Sequence, residues 1–576
     1  MWTPDVIRDA RPHMSLTVLA LAGAIPIVTV FTLMTGFRWS AARSMGTGWS
    51  LATVLGLALW RMPAVWLGAA AISGALQALE IIIIVFGAIV LMNTLAASGA
   101  ISTIRWHISH IVKDRRVQLL LIGTGFMLVI EGVAGFGTPG ALAAPLLMGL
   151  GFPPLAAVVF GLVFNAPQPP FGAAGTPVIG GIGAVIDEQV LSAEVGTTEF
   201  LRSVSGWSAV VTGSTHVFWG LFAVFLMLYW FGHEGRRSLA GAVRDTIPVA
   251  PFAVLLGVIG GGTQWLVAWF FGPELPDIIA GFVVVGAGAV LARNGVLVPS
   301  SAWTFPSSAE WPDVWCGGLD RANLHPADPS KDMPVVLAWT PYLLVSLVLL
   351  VTRWPGLGLV AVLQDYSLVV PSILGQDLSF SLRYLYLPGF VPFMPVAILT
   401  VFLHRMPGTA AVGALKKSFS QILAPALTLI IAVSMTQVMI QSATNDRMLP
   451  GMMQALSRVL ALGAGAAIPL VAPWIGTLGA FITGSNTSSN ILFSVLQHDA
   501  AEAVGASRTI VVALQNVGGG IGNMISVLNI AAISGVVGMT GREGDILRKT
   551  VVPTIVYAIS AGVLGLILTL VFGYLY

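Results

Sequence analysis

The sequence predicts an all-α polytopic membrane protein with about 12–14 transmembrane segments, arranged as two inverted repeats with broken helices and re-entrant hairpins. Three observations carry that expectation. Of 576 residues, 56% are hydrophobic and 9% charged, whereas soluble domains carry about a quarter charged residues. Apolar stretches recur from end to end. Two glycine- and polar-rich segments, 131–177 and 477–526, interrupt otherwise lipid-soluble sequence.

The apolar stretches fall at 14–36, 48–60, 76–97, 117–133, 208–231, 246–271, 278–292, 335–351, 390–403, 424–441, 459–481, 509–517, 527–539 and 551–575. A full span needs about 20 residues, so the shorter stretches read as pieces of broken helices. Acidic and basic residues precede Met14 without a convincing cleavage site, so the first stretch is expected to be retained. Basic loops at 105–116, 236–244, 405–417 and 542–549 belong on the cytoplasmic side, and the acidic loop 187–199 on the other, which puts both Met1 and Tyr576 outside. Residues 1–292 and 335–576 form two transmembrane halves, joined by an extramembrane linker at 293–334 that is rich in proline, tryptophan and mixed charge. The net charge of +2 implies no nucleic acid partner, and the single cysteine, Cys316, excludes an internal disulfide framework or a cysteine metal cluster.

Each interruption has a polar knot, an apolar run and a second knot. The first reads EGVAGFGTPGALAAP from Glu131 and NAPQPPFGAAGTP from Asn165; the second reads TGSNTSSN from Thr483 and QNVGGGIGNMIS from Gln515. Gly137 and Gly172 are 35 residues apart, as are Gly484 and Gly519, which suggests a repeat with breaks at all four places. A bilayer tolerates irregular backbone only where it is buried in protein or lines a watery cavity. Glycines alone fit close helix packing equally well. The side chains of Asn165, Gln168, Asn486, Ser488, Ser489, Asn490, Gln515 and Asn516 need partners at that depth, and their clustering favours a site.

A helix restarting after a break offers free N–H groups and a positive dipole end to a carboxylate. Such starts are expected at Thr138-Pro139, after Gly137, and at Thr487-Ser488-Ser489, with Gly135, Phe136, Ser485 and Asn486 on the expected binding surface beside them. The expected binding surface further includes Phe171, Gly172, Gly519, Gly520 and Asn523. Glu131 stands in FMLVIEGVAG with no basic residue within ten positions. A carboxylate isolated in hydrocarbon favours holding a proton, so Glu131 is a candidate proton carrier, with a structural latch as the competing role. Glu80 and His216 are weaker candidates, and Arg383 reads as an interfacial anchor.

EGVAGFGTPGALAAPLLMGLGFPPLAA, NAPQPPFGAAGTP, TGSNTSSNILFSVLQ and GNMIS together resemble the signatures of the bacterial L-lactate permease family, which includes glycolate permeases, over nearly the whole chain. The resemblance implies proton-coupled symport of a 2-hydroxymonocarboxylate across the bacterial inner membrane, with Glu131 on the family's acidic position. Expected partners are that monocarboxylate, a proton and the lipid bilayer, with no cofactor or metal; a homo-oligomer stays open. Two residues depart from the family pattern: Asn486 stands where GSDTSSN has Asp, and Asn523 where GKMIS has Lys. Gln168-Pro169-Pro170 also replaces an apolar run.

A channel would need a continuous pore lined by rings of polar groups. An enzyme would need a nucleophile with a base, or a ligand set such as HExxH, and neither is found. A sodium-coupled carboxylate transporter is the nearest rival, because hydroxyl, amide and carbonyl oxygens around residues 484–490 could ligate a cation.

Overall fold

Helices dominate a computed structural model that describes residues 14–35, 37, 39–135, 137–186, 190–191, 196–232, 238–317, 333–354, 357–387, 390–539 and 541–573. Eleven helical segments are long and apolar enough to cross a membrane, and Pro154–Asn165 and Phe393–Leu403 are shorter apolar helices. The sheet among the described residues is one short hairpin, Leu368–Val370 antiparallel to Phe380–Leu382, with Val369 opposite Ser381.

Several helices outrun the apolar stretches that announced them. The stretch 76–97 belongs to a 34-residue helix, Ala64–Ala97, and 424–441 to another, Gly408–Gln441. The first is extended by the small-residue run AVWLGAAAISGA and the second by an end that carries Lys416 and Lys417; at about 1.5 Å per residue each is about 50 Å long, more than the roughly 30 Å hydrocarbon core. Conversely, 459–481 is two helices, Met452–Ala464 and Ile468–Thr483, separated where Gly465 takes a left-handed φ of 51°.

Glycine sets the tightest helix crossings. A side chain at Gly74 would strike the backbone of Ser434, joining the two 34-residue helices. Gly213 and Gly261 do the same for Thr197–Phe231 and Ala250–Phe271, and Gly476 and Gly518 for Ile468–Thr483 and Arg508–Gly522. Polar side chains reinforce the first crossing: Asn93 Nδ2 donates to Ser418 Oγ at 2.9 Å and Ser434 Oγ to the Ala71 carbonyl at 2.9 Å. Such interhelical bonds contribute about 0.6–2 kcal/mol each, so close backbone approach does most of the fixing.

The four basic loops lie at one end of the molecule. Arg116 donates to the Asp245 carbonyl at 2.6 Å, Lys549 sits 4.9 Å over the Trp230 ring, and the His404 ring meets Ser98 Oγ at 2.9 Å. The described part of the expected linker packs on that same end. Trp303 donates its N–H to Asp114 and accepts one from Arg115, Phe305 stacks edge-on against Phe152, and Trp315 lies 5.1 Å from Phe231. Residues 318–332, both chain termini and most of the acidic loop lie outside the described residues.

At the opposite end, Arg353 donates to Glu274 at 3.0 Å and to the Tyr386 carbonyl at 2.7 Å, with its guanidinium 3.5 Å over the Tyr386 ring. This buried pair ties the 272–275 loop to Val335–Arg353, and Pro273 of that loop backs Gly175 in the first knot. Glu274→Ala leaves Arg353 charged, buried and unpaired, at a cost of about 3–5 kcal/mol. The melting temperature of the purified protein in detergent should fall accordingly, and less for the double change Glu274→Leu with Arg353→Met. An unchanged melting temperature for Glu274→Ala would show that the pair holds nothing.

Candidate substrate site

Both interrupted segments fold as a helical hairpin followed by a second broken helix. In the first, Met127–Ala134 ends at Gly135 (φ 60°, ψ −157°), Gly137 caps the next helix in a left-handed conformation, and Thr138–Gly149 runs back. Pro154–Asn165 follows, then a short turn of 3₁₀ helix, Pro169–Phe171. Thr138–Gly149 and Pro154–Asn165 have 12 residues each, about 18 Å, too short to span a bilayer. In the second segment, Ile468–Thr483 ends at Gly484 (φ 72°), Ser485 caps Asn486–Ala503, and Arg508–Gly522 returns.

The hairpins open toward opposite ends. Gly151, at the loop after the first, lies against Arg115 among the basic loops. His498, near the far end of the second, stacks on Phe200 at the other end of Thr197–Phe231. Their tips meet around a cavity of about 20 Å³, lined from the first segment by Glu131, Gly135, Pro169, Gly172, Ala173, Thr176 and Pro177, and from the second by Gly484, Ser485, Asn486, Thr487 and Asn523. That volume holds about one water molecule. Among the described residues, no Lys, Arg or His lines it.

The chain reaches this cavity by an unusual turn. Ala173, Ala174 and Gly175 are consecutively left-handed (φ 45°, 51° and 75°), held by Thr176 Oγ1 donating to the Ala173 carbonyl. Left-handed geometry costs an L-residue about 1–2 kcal/mol, a strain that persists only where the surroundings impose it. The turn brings Gly172 against Glu131, whose carboxyl oxygen occupies the space a side chain at 172 would need. Glu131 is buried, and its Oε2 has no hydrogen-bond partner among the described residues.

Across the cavity, Ser485 Oγ accepts from the Ser488 N–H at 3.3 Å, and the first intrahelical bond runs from Ser489 N to the Ser485 carbonyl. The Asn486 and Thr487 N–H groups precede that bond and have no intrahelical acceptor. Behind them lies an amide network. Asn516 Oδ1 accepts from Asn486 at 3.0 Å and from Asn490 at 2.9 Å, while Asn516 Nδ2 reaches Ser208 Oγ at 3.1 Å. Gln515 donates to Ser489 Oγ at 3.0 Å and accepts from Gln497. Asn490 also donates to the Pro177 carbonyl at 3.0 Å and Asn516 to that of Pro170 at 3.4 Å, linking the segments.

The expected site residues therefore divide. Glu131, Gly135, Gly172, Ser485, Asn486, Thr487 and Asn523 line the cavity, and Ser489, Asn490, Gln515 and Asn516 stand behind it. Gly137 and Thr138 are not among the lining residues: a side chain at Gly137 would come within 3.3 Å of Asn529, and the helix start that the first segment brings to the cavity is that of Pro177–Ile182, capped by Thr176. Gln168 donates to the Gly123 carbonyl at 2.8 Å; Asn165, Phe171 and Ser488 are buried away from the lining, and so is His216. Phe136 lies outside the described residues. The break expected at Gly519-Gly520 is also corrected. Arg508–Gly522 runs through both glycines, and the interruption falls at residues 523–526, before Val527–Val536. Those glycines serve packing, Gly519 against the Asn486 side chain and Gly520 against Ala166 and Pro170. Sequence reasoning missed Pro169, Ala173, Thr176, Pro177 and Gly484 as lining residues, although all lie inside the knots it marked.

Asn486 and Asn523 share the cavity, and the Oδ1 of each lacks a partner among the described residues. Asn486→Asp or Asn523→Lys alone buries one uncompensated charge, costing about 3–5 kcal/mol, whereas the two together form a pair. The double variant should reach the membrane at higher yield and melt higher than either single one. Equal damage from all three would show that the positions do not interact.

The profile of the L-lactate permease family matches residues 19–572. Three curated relatives agree over almost their full length. A putative L-lactate permease of Haemophilus influenzae is 27% identical, covering 95% of this chain and 98% of its own. The glycolate permease GlcA of Escherichia coli is 29% identical over 97% of each, and an L-lactate permease of Bacillus subtilis 28% over 93% of each. With the family signature spanning the chain and its interrupted segments meeting at a cavity between membrane helices, the protein belongs to the L-lactate permease family and is a multi-pass membrane transporter, not an enzyme.

Proposed function

We propose that the protein carries a small 2-hydroxymonocarboxylate, L-lactate, D-lactate or glycolate, together with a proton. The observation that carries this reading is the cavity shared by the two interrupted segments, with the Glu131 carboxyl on one wall and the Asn486 and Thr487 helix start on the other. The names of the relatives, L-lactate and glycolate permeases, supply the substrate class.

The coupling follows from charge. A helix start and hydroxyl groups suit a carboxylate and its neighbouring hydroxyl, but no cationic residue lines the cavity to offset a second negative charge. Two unit charges about 4 Å apart repel by about 4 kcal/mol at an effective dielectric of 20, equivalent to nearly a thousandfold in affinity. The anion and Glu131 therefore occupy the cavity together at low cost only when a proton accompanies them. The cavity is too small for the anion as it stands, so the hairpins must part to admit it. Hairpins opening toward opposite ends suit alternating access between inverted repeats. The common end of the basic loops supports a cytoplasmic assignment there; with that orientation in an inner membrane, both termini are expected on the periplasmic face.

Glu131→Gln mimics the protonated carboxyl at similar volume. In liposomes it should keep counterflow exchange of L-lactate or glycolate but lose accumulation driven by a pH gradient, which for one coupled proton is about tenfold per pH unit. Undiminished accumulation by Glu131→Gln would assign the proton elsewhere. Accumulation that needs sodium and ignores the pH gradient would replace the reading with sodium coupling.

A further inference from the structure

We propose that Asp277 is a second proton-carrying carboxylate of this transporter, sharing the coupled proton with Glu131 and held in position by Gln264 and Thr212. The inference rests on the reading above and adds a residue that the sequence did not mark.

Asp277 sits in the first turn of Pro276–Arg293 and is 1% exposed. The Glu131 helix packs directly on it: a side chain at Gly132 would come within 3.0 Å of Asp277 Cβ. Glu131 is the neighbour of Gly132 on that helix, so both carboxyls are buried at one helix contact. Asp277 Oδ2 and Glu131 Oε2 both lack a hydrogen-bond partner among the described residues. Two neighbouring buried carboxylates, each with an orphan oxygen, are costly when both are ionised and far less so when they share one proton.

The other Asp277 oxygen is fixed. Gln264 Nε2 donates to Oδ1 at 2.7 Å, and Thr212 Oγ1 lies 2.8 Å from Gln264 Oε1 and 3.0 Å from the Ser208 carbonyl. Ser208 Oγ in turn accepts from Asn516, the amide that holds Asn486 at the cavity. The Asp277 side chain is thus tied through polar groups to the cavity from behind while its free oxygen is left for a proton. The other titratable groups around it are His216, on Thr197–Phe231, and Tyr557, on Glu543–Phe572, whose ring nitrogens and hydroxyl have no hydrogen-bond partner among the described residues. Glu274, three residues earlier, is bound to Arg353.

Asp277 also lies toward the end opposite the basic loops, next to the 272–275 loop. It therefore offers a station between that face and Glu131. In the transfer, the O–H bond on Asp277 breaks, one forms on Glu131, and the negative charge moves the other way. No other group changes.

The test uses the full chain in liposomes with L-lactate or glycolate as the probe and a pH gradient as the sole driving force. The unaltered protein should accumulate about tenfold per pH unit for one proton. Asp277→Asn, which keeps the hydrogen bond to Gln264, should bring that ratio close to one; Asp277→Glu should restore most of it; counterflow exchange reports folding in each case. Glu131→Gln combined with Asp277→Asn should lose no more than either alone, because the two act as a unit. Accumulation by Asp277→Asn equal to that of the unaltered protein would make Asp277 a packing latch and overturn the proposal. If Asp277→Asn fails to fold, Gln264→Leu, which removes the orienting donor and leaves the carboxyl, should displace the pH profile of uptake; an unmoved profile overturns the proposal equally. No accumulation by the unaltered protein overturns proton coupling itself, and this inference with it.

Discussion

Irregular backbone buried between membrane helices has no water to satisfy it, and the centre of this protein is organised around that constraint. Asn516 meets much of the demand. Its carbonyl oxygen holds the amides of Asn486 and Asn490, and its own amide reaches Ser208 and the Pro170 carbonyl. One residue thus connects the tip of the second hairpin, the turn of the first segment and the scaffold helix Thr197–Phe231. Its helix can come that close because Gly518, Gly519 and Gly522 leave room on the facing sides.

The same economy of charge shapes the site. The buried arginines near the two ends are engaged, Arg116 with Asp114 and Arg353 with Glu274, and among the described residues the cavity lining has one carboxyl among neutral donors and acceptors. A lysine or arginine there would bind an anion more tightly but would also keep it, since a transporter must release what it binds. On the proposed function, neutral amides and a helix start would give a weaker, shape-selective site, and a carboxyl that gains or loses a proton would make binding conditional. Asn486 and Asn523, both uncharged lining residues, extend that neutrality.

Much of this was legible in the sequence because hydropathy and turn chemistry are local. The spans could be placed by their apolar runs, and EGVAGFGTP and TGSNTSSN marked the two hairpin tips that meet. Helix ends were less legible, since the Ala64–Ala97 helix begins in a run of small residues and glycines and the Gly408–Gln441 helix continues through Lys416 and Lys417, which hydropathy reads as polar. Gly519 and Gly520 were misread as a break because glycine signals a turn and a close helix crossing alike, and only the neighbour decides. Asp277 was invisible for a different reason. An acid in the first turn of a helix after Pro276 looks like ordinary favourable placement at a dipole end, and its partners Gln264, Thr212 and Glu131 lie on three other elements.

The contacts also divide into those that can yield and those that cannot. Glycine crossings between Ala64–Ala97 and Gly408–Gln441, and between Thr197–Phe231 and Ala250–Phe271, bring backbone against backbone, so they have no softer arrangement available. Between the two knots, the hydrogen bonds among the described residues are Asn490 to Pro177 at 3.0 Å and Asn516 to Pro170 at 3.4 Å. Interhelical hydrogen bonds within membranes average about 0.6 kcal/mol, and amides exposed by opening would meet water entering the cavity. Parting the hairpins therefore costs little in polar contacts, while the left-handed turn at Ala173 and Ala174 already stores strain beside Glu131. On the proposed function, two hairpins joined by few hydrogen bonds and set on a rigid frame suit exchange between closed and open states, and an anion and a proton would bias that exchange only through contacts that differ between the two.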